Sequence, residues 1–337
     1  MVRLDSAGDV LLAGPAVRAA GGRGAQVGLL CGPHGEAAAR LLPGVERVHV
    51  WDAPWVGFEP PDVASSEVPL IIDELAGQQY DRAFVLVSFH QSPLPTALLL
   101  RLAGIPWIGA DSVDYPGSLL DLRHQRADNC HEAEAATELL AAGGFGLPPG
   151  DDGRLQVRTP PEATALTGAA PYLVVHPGAA VPARAVAPKV AADAVHVLHR
   201  AGYRVVVTGA AAERALTAEV SGYGRYALDL GGRTDLAALS GVLAGADAVV
   251  VGNTGPAHLA AAVGTPVVSL FAPVVPAERW RPYRVPTEIL GVQDAPCAGS
   301  RARRCPVPGH PCLDSLTGDD VLAAVRRLID PTAEVTA

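Results

Sequence analysis

Three segments of the sequence place polar side chains where apolar runs break off, and each could perform part of one reaction. The N-terminal run RLDSAGDVLLAGPAVRA brings Ser6, Gly8 and Asp9 to the start of a helical pattern. A carboxylate at a helix N-terminus is stabilised in its ionised form, so we expect Asp9 to be charged near neutral pH. An ionised carboxylate can act as a general base. A helix cap without catalytic function is the alternative interpretation of Asp9.

The second segment, VVVGNTGPAHLAAAVGTPVVSLFAP, is an apolar strand pattern that stops and resumes as a helix. Asn253 or Thr254 can cap that helix, Gly255 leaves the backbone bare, and Pro256 suits the first helical turn. Exposed amides at a helix start bind anions, and His258, one turn in, could donate to a phosphate or a sugar hydroxyl. Taken alone, the stretch fits a capped helix with a core histidine equally well.

The third segment, VVHPGAAVPARAVAP, follows another apolar run. It offers bare backbone at Gly178 and a cation at Arg184, with Lys189 as a second choice. Because a guanidinium can hold two phosphate oxygens at once, Arg184 suits a diphosphate. A solvated surface arginine is the alternative.

The elements that must position these segments alternate between short apolar runs and longer helical patterns, which is typical of α/β units with mainly parallel sheets. Helices are predicted to begin near Leu11, Gly35, Val68, Leu94 and His131. The predicted strands are 25–30, 45–51, 82–88 and 105–110 in the first half and 172–178, 204–210, 226–232, 247–252 and 266–272 in the second.

A segment rich in Pro, Gly and acids, residues 145–171, separates the two halves and predicts an interdomain connection. We therefore expect domains at 1–155 and 156–337, with the last helix, which starts at Gly318, free to cross back to the first domain. Ligands of open α/β sheets bind at the carboxyl ends of strands, so both domains are expected to face a central cleft with those ends.

Composition limits the function. The 337 residues carry a formal charge of −9, which argues against nucleic acid as a partner. The N-terminus lacks the pattern of a signal peptide, and no run of eighteen apolar residues occurs, so we expect a cytoplasmic protein without a transmembrane segment. Peripheral contact with a membrane stays open.

Motifs of other chemistries are mostly absent. The sequence has neither a P-loop nor a G-x-G-x-x-G fingerprint after a strand, and HEAEA is not the zinc motif H-E-x-x-H. Five cysteines make a disulfide framework improbable. Four residues near the C-terminus could bind zinc, although their spacing is unlike that of a zinc knuckle, and an ordered Pro-rich loop is the alternative: Cys297, Cys305, His310 and Cys312.

Taken together, these segments resemble glycosyltransferase family 9, the heptosyltransferase family, along nearly the whole chain. LGGRTDLAALSGVLAGADAVVVGNTGPAHLAAAVGTPVVSLFAP is the most specific match, and HPCLDSLTGDDVLAAV matches near the C-terminus. The resemblance implies the GT-B fold, with two Rossmann-like domains. It also implies inverting transfer of a sugar, in the first place heptose from ADP-heptose, to a hydroxyl of a small-molecule or glycolipid acceptor, with no cofactor and no essential metal.

The resemblance also assigns roles to residues. It makes Asp9 the base beside Ser6 and Gly8 in an acceptor loop. Arg184 and the helix start at Thr254, Gly255, Pro256 and His258 would hold the donor diphosphate. Glu213, Thr234 and Leu236 would contact the nucleotide.

Two positions depart from the family pattern. Its aspartate before T-G-x-x-H, which the resemblance places at the donor sugar, is Asn253 here, and its threonine after F-G-P is Val274, so the donor sugar can differ from that of the family. The acceptor could belong to the cell envelope or to a natural product. The rival functions are a nucleotide-sugar 2-epimerase of the same fold and a non-catalytic sugar-nucleotide binding protein.

Overall fold

The computed structural model describes residues 1–22, 24–57 and 59–329, which form two compact units, Met1–Arg158 and Thr159–Ala337. Residues 330–337, the end of the predicted second domain, lie outside the described residues. The stretch before the unit boundary is fastened to the first unit. The Arg158 N–H donates to the Leu41 carbonyl at 2.7 Å, and Arg18 Nε pairs with Asp151 at 2.6 Å.

The first unit is built on a six-stranded sheet with the order β3-β2-β1-β4-β5-β6, and all of its pairings are parallel. Its strands are β1 (Val2–Arg3), β2 (Val27–Cys31), β3 (Val45–Val50), β4 (Arg82–Val85), β5 (Trp107–Asp111) and β6 (Leu122–His124). Its helices are α1 (Ala7–Leu12), α2 (Gly14–Gly21), α3 (Glu36–Leu41), α4 (Glu67–Ala76), α5 (Leu94–Leu102) and α6 (Glu132–Ala142).

The second unit repeats this plan with the order β12-β11-β10-β7-β8-β9, again with parallel pairings. Its strands are β7 (Leu173–His176), β8 (Val205–Val207), β9 (Leu228–Asp229), β10 (Ala248–Gly252), β11 (Val267–Leu270) and β12 (Thr287–Leu290). Its helices are α7 (Thr164–Thr167), α8 (Pro188–Arg200), α9 (Arg214–Val220), α10 (Leu236–Ala244), α11 (Gly255–Val263), α12 (Ala277–Trp280), α13 (Pro311–Asp314) and α14 (Gly318–Ile329).

Both units therefore have the doubly wound Rossmann order, in which the chain adds strands to one side of the first strand and then to the other. The direction reverses between β1 and β4 in the first unit and between β7 and β10 in the second. Such switch points are where open α/β sheets bind ligands. The predicted α/β class with two Rossmann-like domains is confirmed.

The central strands form because apolar runs are buried on both sheet faces, as parallel sheets require. All five residues of β10 are buried, as are those of β2. Every predicted strand overlaps an observed one. The sequence pattern misses β1, β6 and β12, because β1 has two residues and β6 and β12 carry charged or polar side chains.

Over its described residues, the closing helix packs against other elements of the second unit. α14 lies against α8, where the Gly318 N–H donates to Asp193 Oδ2 at 2.6 Å. Its buried stripe of Val321, Ala324 and Val325 joins the apolar core of that unit. In the part of the chain that the structure describes, no helix has the length and apolarity to cross a membrane.

Candidate functional site

In the first unit, the switch point gathers Asp9 and its neighbours. Ser6 caps α1, and its hydroxyl donates to Asp9 Oδ2 at 2.8 Å. The other carboxylate oxygen, Oδ1, accepts from Arg3 Nη2 at 3.0 Å. The same nitrogen donates to Ser88 Oγ, just beyond β4, at 2.9 Å. Arg3 thus connects the loops that follow the two strands of the switch point.

These hydrogen bonds hold the Asp9 carboxylate, but solvent can still reach it. The Asp9 side chain is 19% exposed, whereas the Arg3 side chain that binds it is only 5% exposed. Gly8 is buried in the first turn of α1. Arg3 also pairs through Nε with Asp5 at 3.1 Å. Burial disfavours the Arg3 charge, but Asp5, Asp9 and Glu132 outweigh it and raise the pKa of Arg3. The arginine is therefore a permanent cation beside Asp9.

A chain of buried charges continues from Arg3 across the unit. Glu132 Oε2 lies 3.7 Å from Arg3 Nη2, and Glu132 Oε1 accepts from Arg126 Nη1 at 3.1 Å. Arg126 in turn lies 2.9 Å from Asp111, which also contacts His124. Burial raises the pKa of Glu132, an effect that Asp9 increases and that Arg3 and Arg126 oppose.

In the second unit, the residues predicted to bind an anion lie at the end of β10 and the start of α11. Thr254 is the N-cap residue, but its side chain makes no cap hydrogen bond, and Pro256 lies in the first turn. Asn253 is 3% exposed, and its Nδ2 has no hydrogen-bond partner among the described residues. His258 is buried in the helix that begins at Gly255. A buried amide donor without a partner costs about 1–3 kcal/mol, so this position suits a bound acceptor atom.

Arg184 ends a short 3₁₀ turn between β7 and α8 and is half-buried. The preceding Ala183 holds this turn, because its N–H donates to the Arg303 carbonyl at 2.9 Å and its carbonyl accepts from His310 Nε2 at 3.2 Å. A Cβ on Gly252 would lie 3.1 Å from the Arg184 carbonyl oxygen. The turn that contains Arg184 thus packs against Gly252, which is the last residue of β10 and directly precedes Asn253. Lys189, the second choice, is exposed in the first turn of α8.

Glu213 follows β8 and packs on the loop after β7. Its Oε2 accepts from the Ala210 N–H at 2.7 Å, and a Cβ on Gly178 would lie 2.0 Å from its Oε1. Gly178 is therefore bare because the carboxylate of Glu213 fills the space. His176, at the end of β7, lies beneath this contact, and its Nδ1 is 3.0 Å from Thr208 Oγ1. Burial lowers the pKa of His176, against the influence of Glu213.

Thr234 and Leu236 lie beside this loop. The Gly232 N–H donates to the Gly209 carbonyl at 2.8 Å, which joins the chain after β9 to the chain after β8. Asp235 then caps α10 by accepting from the Ala238 N–H at 2.7 Å. All the predicted residues of the second unit thus follow neighbouring strands at the carboxyl edge of one sheet. Ser6, Gly8 and Asp9 occupy the corresponding edge of the sheet in the first unit.

Two of the three cysteines near the C-terminus lie in the apolar core of the second unit. Cys297 and Cys312 are 2% and 0% exposed within the apolar cluster of the second unit, and Cys305 Sγ contacts the Val307 carbonyl at 3.4 Å. Burial, with Cys297 and Cys305 nearby, raises the pKa of Cys312 to about 11. Within the described ranges, no group of three or more His, Cys, Asp or Glu residues is arranged to hold a metal ion.

Several residues of these sites were missed by the sequence reasoning. Arg3 and His176 each end a strand at a switch point. A polar residue at the end of an apolar run could have identified them as site residues. Ser88 and Glu132 gave no local signal, because they meet Arg3 only through contacts across 85 and more than a hundred residues of chain.

Comparisons with known proteins agree with this architecture. The model of "Glycosyltransferase family 9 (heptosyltransferase)" matches residues 70–310. No curated protein matches the sequence. Among solved structures, E. coli ADP-heptose lps heptosyltransferase II is similar at 20% identity, over 97% of both chains, with a TM-score of 0.74. The glycosyl transferase family 9 protein of Veillonella parvula shares 16% identity over 98% of this chain and 96% of its own, with a TM-score of 0.76.

A third similar structure is E. coli heptosyltransferase WaaC with ADP-2-deoxy-2-fluoro heptose. It shares 23% identity over 98% of both chains, with a TM-score of 0.70. At these identities the solved structures establish the fold, while the family model covers most of the chain.

Proposed function

Because the chain belongs to glycosyltransferase family 9, we propose that it transfers a sugar with inversion from a nucleoside diphosphate donor to an acceptor hydroxyl, without an essential metal. The donor favoured by the family is ADP-heptose. The acceptor is a component of the cell envelope or a natural product, and the protein acts in the cytoplasm. The unpartnered, buried Nδ2 of Asn253 beside an uncapped helix start carries the donor side of this proposal.

Asp9 is the base of the proposed reaction. Its two oxygens are held by Arg3 and Ser6, so the carboxylate keeps one orientation, and its exposed fraction lets an acceptor hydroxyl approach. Proton removal by a fixed carboxylate commonly contributes about 10²–10⁴-fold in rate. Ser6 and Gly8 shape the acceptor loop, Ser6 as the cap and Gly8 as a buried residue of the first turn.

The donor diphosphate is proposed to bind at the start of α11. The amides near Thr254 and Gly255 and the positive end of the helix dipole attract its negative charge. Pro256 fixes the first turn, His258 donates from within the helix, and Arg184 reaches the phosphates from its turn beside β10.

The rest of the donor is proposed to extend along the same edge. Asn253 donates to a hydroxyl of the sugar through Nδ2. Glu213 accepts from the ribose hydroxyls, and Thr234 and Leu236 lie along the nucleotide. The hydrogen bond from the Gly232 N–H to the Gly209 carbonyl joins the chain that leads to Thr234 to the chain that leads to Glu213.

The bond changes follow from the roles proposed for these residues. Asp9 takes the proton of the acceptor hydroxyl as that oxygen forms a bond to the anomeric carbon. The bond from the anomeric carbon to the diphosphate oxygen breaks on the opposite face, and the nucleoside diphosphate leaves with the electron pair. Arg184 and the helix amides stabilise the charge that develops on it, which is the role a metal plays in other transferases.

Asp9→Asn tests the proposal. We expect transfer to fall by about 10²–10⁴-fold while donor affinity, measured by calorimetry, stays within about twofold, since only the base is lost. Asp81→Asn, an exposed acid that directly precedes β4 and so lies at the opposite edge of the same sheet, is the control and should transfer normally. Unchanged turnover of the Asp9 variant would refute the assignment of the base. Failure of every ADP-, GDP-, UDP- and dTDP-sugar to bind would refute the function.

A further inference from the structure

The loops at the carboxyl edge of the first unit carry almost no cations. These loops are residues 4–6, 32–35, 51–66, 86–93, 112–116 and 125–131, and Arg126 is the single lysine or arginine among them. The same loops contain six acids: Asp5, Asp52, Glu59, Asp62, Asp114 and Asp128. A phosphate or carboxylate on a ligand would need cationic or amide partners here, and acids around it would oppose its binding.

Arg126 is already committed inside the unit. Its Nη1 donates to Glu132 at 3.1 Å, and its Nη2 donates to the Val87 carbonyl at 2.6 Å and lies 2.9 Å from Asp111. Its side chain is 12% exposed. Moving it to a ligand would leave Glu132 and Asp111 buried without their cation, which is costly. Arg126 therefore does not supply an anion site.

Arg123, on β6, is an exposed arginine outside these loops whose guanidinium lies against one of them. Its Nε and Nη2 donate to the Ser112 and Val113 carbonyls at 3.0 and 2.6 Å, so these two donors are already used by the backbone.

The same edge presents apolar side chains to solvent. Tyr115 is 84% exposed, Val113 82% and Phe89 38%. Phe89 follows Ser88, which shares the Arg3 guanidinium with Asp9. Ser92 Oγ donates to Asp114 at 3.3 Å, which joins the loop of Phe89 to that of Tyr115. The loop of Phe89 therefore begins beside Asp9, and the loop of Val113 and Tyr115 lies next to the loop of Phe89.

The distance suits a small acceptor. β5, which precedes Tyr115, is two strands from β1, or about 10 Å at the usual spacing of strands. Trp55, which follows β3, also reaches this side, because its Nε1 donates to Thr96 Oγ1 of α5 at 3.0 Å. An acceptor whose hydroxyl meets Asp9 would thus lay its remaining part across Phe89, Val113 and Tyr115.

We propose that the acceptor is an uncharged, hydroxyl-bearing small molecule with an apolar ring, which binds through Phe89, Val113 and Tyr115, and that phosphorylated acceptors are excluded. The inference rests on the proposed function, because that function makes the loop of Asp9 the acceptor side. It selects the small-molecule acceptor over a phosphorylated glycolipid.

Three matched probes test the acceptor class: phenyl β-D-glucopyranoside, its 6-phosphate and methyl β-D-glucopyranoside. Their affinities are measured by saturation-transfer NMR on the full chain with saturating ADP. We expect the phenyl glucoside to bind about tenfold tighter than the methyl glucoside, as aromatic contacts allow. The 6-phosphate should bind at least about tenfold more weakly than its parent.

Variants locate the effect. Phe89→Ala with Tyr115→Ala should abolish the preference for phenyl over methyl, whereas Tyr223→Ala, an equally exposed tyrosine of the second unit, should keep it. Val113→Arg should raise affinity for the 6-phosphate about tenfold by adding a cation. Equal or tighter binding of the 6-phosphate by the native chain, a preference that survives the double variant, or no binding of any probe would overturn the inference. Lack of ADP binding would instead count against the proposed function.

Discussion

Asp9, the proposed base, is held in one orientation and is still partly exposed. Its Oδ1 is bound by an arginine that three acids share, and its Oδ2 by a serine hydroxyl. Arg3 is also the cation next to Asp5 and Glu132. Its positive charge is therefore shared among three acids, and it neutralises Asp9 less than it would if Asp9 were its single partner. Arg3 is thus a positioning residue for Asp9, and it also links Asp9 to Glu132.

The buried acid Glu132 should make stability depend on pH. Its pKa is raised, so the native state holds a proton on Glu132 that the unfolded chain has already lost, and stability falls as pH rises through the native pKa. Glu132→Gln resembles the protonated acid. We therefore expect this variant to match the native protein near pH 4 and to gain on it toward pH 7, by about 1.4 kcal/mol per unit of pKa elevation.

Urea unfolding of both proteins across this pH range measures the difference. Glu138→Gln, which removes an exposed carboxylate from the same helix, is the matched control. A stability gap for the Glu132 variant that stays constant or shrinks with rising pH would contradict the expectation.

Asn253 should separate sugar recognition from nucleotide recognition. Its unpartnered Nδ2 is assigned to the donor sugar, while the diphosphate is assigned to α11 and Arg184. Asn253→Ala should therefore weaken binding of the ADP-sugar by about 10–100-fold, as expected for one hydrogen bond in a dry site, and leave ADP affinity within about twofold. Titration calorimetry with both ligands decides this, and an equal loss for the two would place Asn253 on the diphosphate.

At the scale of elements, the loop after β7 and the turn before α9 interlock. Glu213 occupies the space that a side chain at position 178 would need. Gly178→Ala should displace Glu213, lowering stability by about 1–3 kcal/mol and weakening nucleotide binding. Gly146→Ala is the control, because its Cβ would meet no atom within 4 Å.

The double variant Gly178→Ala with Glu213→Ala makes the test specific. Removing the carboxylate removes the clash, so the double variant should recover most of the lost stability and the two changes should not be additive. Nucleotide affinity should stay low, because Glu213 is itself assigned to the ribose. Additive losses of stability in thermal unfolding would show that the two positions do not interact.

Elements could be predicted from the sequence where local pattern decides them. The run from Val249 to Pro273 contains its own start signals, apolar period and terminal glycine, so β10, α11 and β11 lie where the pattern puts them. β1 is only two residues long and is a strand because β2 and β4 flank it, which no local pattern records. The contacts of Arg3 are invisible for the same reason, since they join β1 to Ser88 and Glu132.

At the scale of the whole molecule, the chain carries one topology twice. Each unit has a complete six-stranded sheet and its own apolar core. All residues proposed for the donor lie in the second unit, and the proposed base lies in the first. Under this proposal, the second unit recognises the donor and the first unit recognises the acceptor, so each substrate has its own unit.

This division predicts that residues 159–337 fold alone and bind ADP. ADP at 100 times its dissociation constant should stabilise that fragment by about 2.7 kcal/mol, which thermal unfolding can measure. The same fragment with Arg184→Ala should respond less, because a cation assigned to the diphosphate is lost, and residues 1–158 should not respond. If the fragment folds without responding while the full chain binds ADP, part of the nucleotide site belongs to the first unit. The assignment of the whole donor to the second unit would then be wrong.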